Sequence, residues 1–260
     1  MARTVRLPAP DRPSSSSAAS NNRVRESFST WRRLGATVFS VWRIESELDH
    51  SDWPYDRRSA AVYDRLVRSR TYNRLVWSTA PADYAQFAAA AIVSADGPLL
   101  EVAVGSAAAT AELHAHSRRQ TVLVDLSRAM LERAAQRIAA ASDDDEHRVP
   151  AHIRLVQADL LELPFPPHGF TTILGFGLTH LFGDLPALVS ALRGQSAPGG
   201  QLHLAGLVAQ TRRGRRFLDV LHRAGEAAVP RTAEDRRVAL GRPAVFHTAG
   251  CMAYATLPAA

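Results

Sequence analysis

The sequence predicts an α/β fold: a doubly wound, mostly parallel sheet of seven strands with an N-terminal helical extension. Three observations carry this. From residue 97 onward, short apolar runs alternate with amphipathic stretches of helical period, the pattern of parallel strands joined by crossover helices. Leu99 to Val104 and Thr121 to Asp125 are apolar enough to be buried on both faces, as central parallel strands are. Between them, small residues around Gly105 form a turn at the carboxyl end of a strand, the edge where open parallel sheets bind ligands.

The totals fit one globular core with an extension. The chain has 260 residues, 46% hydrophobic and 22% charged, enough for a core of roughly 200 residues. No apolar run approaches membrane-spanning length. The formal charge is +6, but all 31 basic residues are arginine. That composition reads as a GC-rich, bacterial coding bias rather than as a nucleic-acid-binding surface. A lone cysteine, Cys251, rules out an internal disulfide and agrees with a cytoplasmic location.

Met1 to Asn22 is rich in Pro, Ser and Ala, lacks the apolar centre of a signal peptide, and is expected to be a disordered tail. In Val24 to Leu48, the residues Val24, Phe28, Trp31, Leu34, Val38, Val41 and Trp42 recur at helical spacing with arginines between them. Such a helix packs on its own domain or across a homodimer, with a membrane surface as the alternative. Residues 23–95 as a whole are expected to form a helical extension or lid on a domain spanning 96–260. Within the extension, helical pieces are predicted at 60–68 and 72–77, and a helix from Pro81, tolerated in a first turn, through Val93. In the domain, strands are predicted near 98–104, 121–125, 152–156, 171–176 and 201–206, with helices at 107–116, 127–141, 184–194 and 212–224. Ala244 to Phe246 and Met252 to Thr256 supply the last two strands.

Several clusters invite a chemical role and are read otherwise. Asp143-Asp144-Asp145-Glu146 lacks the ligand spacing of a metal site and reads as a solvated loop, and no metal is expected. His114 and His116, two apart on a helix, point to different sides. Arg212, Arg213, Arg215 and Arg216 open a helix and read as a solvated face, with an anionic substrate as the alternative.

The turn itself admits two nucleotide readings. Ala103-Val-Gly105-Ser-Ala-Ala108 matches the dinucleotide fingerprint G-x-G-x-x-G/A with its first glycine lost, and Asp125 lies 20 residues after Gly105. The other reading uses more of the chain. Glu101-Val-Ala103-Val-Gly105-Ser-Ala107, then Val124-Asp125-Leu126-Ser127 with Met130-Leu131, then Gln157-Ala158-Asp159-Leu160 with Leu163-Pro164-Phe165, and finally Leu192-Arg193 through Pro198-Gly199-Gly200 follow one another in order. This sequence of motifs resembles the class I S-adenosylmethionine (SAM)-dependent methyltransferases, in particular their small-molecule, ubiquinone/menaquinone-methylase-like branch. Tyr63-Asp64-Arg65-Leu66 and Tyr72-Asn73-Arg74-Leu75-Val76-Trp77 add to the likeness, which spans about residues 60 to 257.

The resemblance implies a Rossmann-like fold, SAM as cofactor, and a small-molecule acceptor, plausible in bacterial secondary metabolism. It places Asp125 on the ribose hydroxyls, where a carboxylate accepts two charge-assisted hydrogen bonds. Asp159 is placed on the adenine amino group, with a loop cap as the alternative, and Met130 and Leu160 on either face of the base, with plain core as the alternative for both and Leu126 beside them. Glu101 orients the turn and the methionine ammonium, while Ala103 and Gly105 form the turn itself. Phe176 and Leu178, flanking Gly177, line the sulfonium side, and Tyr72 and Trp77 reach the cofactor from the lead-in, with core packing as the default reading for aromatics at these spacings. His180 is the best-placed general base, with a helix cap or a space-filling residue as the alternative. Two expected glycines are Ala103 and Ala107; a methyl at 107 is expected to crowd the cofactor. That departure and the lack of an evident base motivate a rival reading, a methyltransferase fold repurposed for non-methylating chemistry such as a natural-product cyclase or isomerase.

Overall fold

The computed structural model describes the backbone of Ile44–Ser46, together with Arg74 and residues 77–259 apart from 144, 146, 242 and 244. The expected tail, the helical piece 60–68 and Tyr72 lie outside the described residues, as does the amphipathic helix over 24–48 except at its end. In chain order the strands are β1 (Ile44–Ser46), β2 (Leu99–Val102), β3 (Thr121–Asp125), β4 (Ile153–Gln157), β5 (Phe170–Gly175), β6 (Ser196–Leu207), β7 (Val245–Ala249) and β8 (Met252–Pro258). The helices are α1 (Pro81–Val93), α2 (Ala111–His116), α3 (Arg128–Ala141), α4 (Leu185–Gln195), α5 (Arg212–Arg223) and α6 (Ala233–Ala239).

The strands form one sheet in the order β1-β4-β3-β2-β5-β6-β8-β7. Strands β2 to β6 run parallel, and β8 is antiparallel to both β6 and β7. The seven predicted strands are all present in this mixed α/β sheet, with bounds shifted by a few residues. β1 is an addition that corrects the sequence reading. Ile44 to Ser46 was expected to lie in a helix but pairs in parallel with Leu155 to Gln157. The open edge of β4 offers a row of unpaired backbone groups, and pairing with them outweighs the helical spacing of this short stretch.

Apolar continuity puts the central strands inside. Leu99, Leu100 and Val102 of β2 are buried, as are Val122, Leu123 and Val124 of β3 and Ile173 and Leu174 of β5. Helix α3 presents Leu131, Ala134, Ala135 and Ile138 to that sheet. Its N-cap, Ser127, accepts from the Met130 N–H, which fixes where the helix begins after β3. On α1, Ala88 and Ala91 meet Leu174. Helix α2 starts at Ala111 rather than at 107, because Ala107 has a left-handed backbone that no helix continues through. Helix α6 was not predicted; Thr232 and Asp235 close a capping box at its start.

Candidate active site

Strand β2 ends at Val102, and the chain bends through 103–107 before entering α2. Ala103, Gly105 and Ala107 have φ of +51°, +55° and +51°. These alternate positions are the ones where the sequence pattern calls for glycine, and the backbone adopts that glycine conformation with alanine at two of them. A left-handed alanine costs roughly 1–2 kcal/mol, so the bend is held by its surroundings. The Val104 N–H donates to the Val124 carbonyl at 3.1 Å, and the Arg137 guanidinium donates to the Ser106 carbonyl. A Cβ added at Gly105 would meet nothing within 4 Å, so the middle of the bend faces open space. Ala107 is 1% exposed and packs with Val104, Ala111, Leu123 and Leu131. Its methyl is a core group, not the obstruction that the sequence suggests.

Asp125, the last residue of β3, clasps the bend. Its Oδ2 accepts from the Gly105 N–H at 2.7 Å and its Oδ1 from the Ser127 N–H at 2.8 Å. Burial pushes its carboxyl above the ordinary carboxylate range, while the N–H groups of Ser127, Gly105 and Leu126 work in the opposite direction. A carboxylate oxygen has about two acceptor positions, so each retains one for a ligand hydroxyl. Next to it, Leu126 is 40% exposed, an apolar side chain with one face uncovered. Across from it, at the end of β4, the Ala158 N–H donates to the Asp125 carbonyl at 3.2 Å and the Gln157 Nε2 to the Leu126 carbonyl at 3.1 Å. Gln157 Oε1 is buried without a partner. Paired acceptors beside an uncovered apolar side chain and an unobstructed bend suit a nucleoside, whose sugar diol and flat base need those two surfaces.

Known proteins share this fold. Residues 99–200 match the model of a family described as a methyltransferase domain. That match covers less than half of the chain and makes this region similar to that family. No curated protein matches the sequence. Similar solved structures include geranyl diphosphate C-methyltransferase from Streptomyces coelicolor, at 15% identity and TM-score 0.56, covering 97% of this chain and 100% of that one. Another is a putative S-adenosyl-L-methionine-dependent methyltransferase from Methanococcus maripaludis, at 15% identity and TM-score 0.53, covering 81% and 96%. A third, a possible histamine N-methyltransferase from Thermotoga maritima, has 14% identity and TM-score 0.54, covering 77% and 99%. At these identities the likeness is one of fold.

Within this region, the structure brings Ala103, Gly105, Asp125 and Leu126 together, with Gln157 adjoining. Met130 begins α3 and is 4% exposed, its N–H held by Ser127. Asp159 and Leu160 are half-buried after β4. Asp159 Oδ1 accepts from the Leu161 N–H at 2.8 Å, so one oxygen caps its own loop. Phe176, after β5, is half-buried and meets Tyr84 edge-on at 4.9 Å.

Four of the expected residues are buried among protein partners. Glu101 is 1% exposed; its carboxylate accepts from the Thr110 hydroxyl at 3.2 Å and pairs with His114 Nε2. It positions the bend by anchoring the start of α2, and its oxygens are committed there rather than to a ligand ammonium. Trp77, 4% exposed, packs edge-on against Phe217 at 5.0 Å, in a core with Cys251, Met252 and Tyr254. Its carbonyl accepts from the Cys251 N–H at 2.8 Å, so it serves the fold of the β7–β8 side. Leu178 is fully buried, its N–H donating to the Ala205 carbonyl at 2.8 Å. His180 is enclosed as well, its Nδ1 facing the Leu207 N–H at 3.5 Å. Burial and the charge of Arg236 hold its pKa down at about 3, which makes it a poor proton acceptor.

Sequence reasoning missed His114 and Gln157. A carboxylate in an apolar strand needs a buried partner, so Glu101 itself was the signal for His114. Arg212, Arg213, Arg215 and Arg216 are exposed on α5, as read from the sequence. Cys251 is buried, with the Thr211 hydroxyl 3.3 Å from its Sγ.

Proposed function

We propose that this protein transfers the methyl group of SAM to a small molecule of bacterial secondary metabolism, in the cytoplasm. The observation that carries this is the clasp of Asp125 on Gly105, which sets a carboxylate with acceptor capacity beside an open bend and an uncovered Leu126. SAM, when bound, supplies a methyl group on a positively charged sulfur that needs no further activation. Asp125 accepts the two ribose hydroxyls, and Gly105 allows the close approach. Leu126, Met130 and Leu160 hold the base, with the second oxygen of Asp159 oriented to its amino group. Phe176 and its aromatic neighbours keep water from the acceptor side.

Transfer is an in-line displacement, so alignment and exclusion of water are the protein's main contributions. We assign no general base to His180, whose imidazole is enclosed and weakly basic. The similarity to a geranyl diphosphate C-methyltransferase supports a small, apolar-bodied acceptor and transfer to carbon. The rival reading, non-methylating chemistry, drew on the methyl at Ala107, which sits in the core, and on the lack of an evident general base, a ground that the enclosed His180 leaves standing. Calorimetry of the full chain with S-adenosylhomocysteine tests the proposal: saturable binding that Asp125→Ala abolishes supports it, and an absence of binding refutes it. Formation of S-adenosylhomocysteine during turnover separates methyl transfer from the rival.

A further inference from the structure

We propose that Arg231 and Arg236 form a binding site for an anionic oxygen group, a phosphate or carboxylate, carried by the methyl acceptor. Arg236, on α6, is 3% exposed. Its Nη2 donates to the Leu207 carbonyl at 2.9 Å, but Nε and Nη1 are buried with no partner. Arg231 repeats the pattern: Nη2 donates to the Gly183 carbonyl, while Nη1 is buried and unpartnered. The Thr179 hydroxyl, one residue before His180, is also buried and unpartnered. Other buried polar atoms, such as His114 Nδ1, Arg193 Nε and the Tyr254 hydroxyl, also lack partners. Those of Arg231, Arg236 and Thr179 adjoin one another, since Arg231 acts on Arg236 and Arg236 on His180, and neighbouring buried donors without an acceptor call for one.

Charge points the same way. Burial and the neighbouring charge of Arg231 lower the Arg236 pKa to about 10, so the two guanidinium groups repel one another. Asp235, which feels Arg231 and Arg215, is exposed and hydrogen-bonded to the Thr232 hydroxyl at 2.7 Å and to the Thr232 N–H at 3.1 Å. His180 faces Arg236 and, with its pKa near 3, is neutral, so it offers no countercharge. An enclosed cation without a counter-ion is strongly unfavourable. A single hydrogen bond to a carbonyl does not account for retaining one, whereas an anionic ligand does.

The location fits an acceptor. Leu207 ends β6 and Gly183 follows β5, on the same carboxyl edge of the sheet as Asp125. The segment bearing both arginines is stitched onto that edge, the Ala209 N–H donating to the Arg231 carbonyl at 2.8 Å and the Ala228 N–H to the His180 carbonyl at 2.9 Å.

That the anion belongs to the acceptor rests on the proposed function; that an anion binds at all does not. The test titrates the full chain with inorganic pyrophosphate and with malonate at constant ionic strength, by calorimetry and thermal melting. The expected result is saturable binding of at least one probe, weakened at least tenfold by Arg236→Met and by Arg231→Gln, and unchanged by Arg223→Ala on the exposed end of α5. The proposal is overturned if neither probe binds saturably, or if the two variants bind as the parent does. Should Arg236→Met fail to fold, Arg231→Gln alone decides the matter. S-adenosylhomocysteine is titrated in parallel: anion binding without it leaves this site standing and removes the methyl-transfer reading, and the reverse outcome removes this site alone.

Discussion

Replacing Gly105 by alanine separates what the backbone requires from what the cofactor requires. Gly105 sits at φ +55°, and a Cβ built there touches nothing within 4 Å, so the substitution adds backbone strain without a clash. A left-handed alanine costs roughly 1–2 kcal/mol, and the lost entropy of the unfolded glycine chain returns about 0.4–1 kcal/mol. The net destabilisation of the free protein is therefore about 0.5–1 kcal/mol, a fall in melting temperature of roughly 1–4 °C at this chain length. If the open space above Gly105 is where the adenosyl group lies, the same methyl blocks it. Affinity for S-adenosylhomocysteine then falls at least tenfold, about 1.4 kcal/mol or more. Ala103→Gly is the converse control: at φ +51° it relieves strain and is expected to stabilise by about 0.5–1 kcal/mol. Ala107→Gly also relieves strain but removes a buried methyl worth about 0.8 kcal/mol, so its net effect is close to zero. Urea unfolding followed by circular dichroism measures the stabilities, and calorimetry measures binding. An unchanged affinity in Gly105→Ala, together with the expected loss of stability, would refute the placement of the cofactor.

Asp125→Ala removes a carboxylate that takes charge-assisted hydrogen bonds worth about 1.5–3 kcal/mol, so calorimetry should show S-adenosylhomocysteine binding weakened at least tenfold. Histidine titration sets the response to acid. The native pKa of His180 is about 3 and its ordinary value is 6.5, so between these the unfolded chain binds more protons and stability falls as pH drops. The slope is at most about 1.4 kcal/mol per pH unit per histidine. His203, lowered to about 4 by burial and then by Arg119, adds to it. His180→Gln should therefore flatten the acid side of the stability curve without abolishing it, and an unchanged curve in denaturant titrations at pH 4 to 7 contradicts the burial argument. The same variant should keep methyl transfer within a few-fold, whereas a loss of a hundredfold or more would restore His180 as a base. Gly250→Ala is expected to lose about 3 kcal/mol or more, because a Cβ there falls 2.1 Å from the Ser78 carbonyl oxygen; a near-normal unfolding midpoint would refute the close approach of the β7–β8 turn to Ser78.

The strand and helix order, the bend at 103–107 and the acid at the end of the second predicted strand are local facts, and they were legible in the sequence. Alternating apolar runs report burial, and the small residues of the bend report its backbone, even where alanine replaces glycine. Tertiary structure decided where side chains spend their hydrogen bonds. Glu101 turned inward to Thr110 and His114, His180 was enclosed beside Arg236, and Trp77 became core, because each partner comes from an element remote in sequence or from the far side of a turn. The same reason separates the two kinds of arginine. Spacing placed the α5 group correctly in solvent, but only the docking of α6 against the end of β6 enclosed Arg236. Periodicity encodes which face of an element is apolar; it does not encode which distant polar group meets that face, and the candidate chemistry of this protein depends on those meetings.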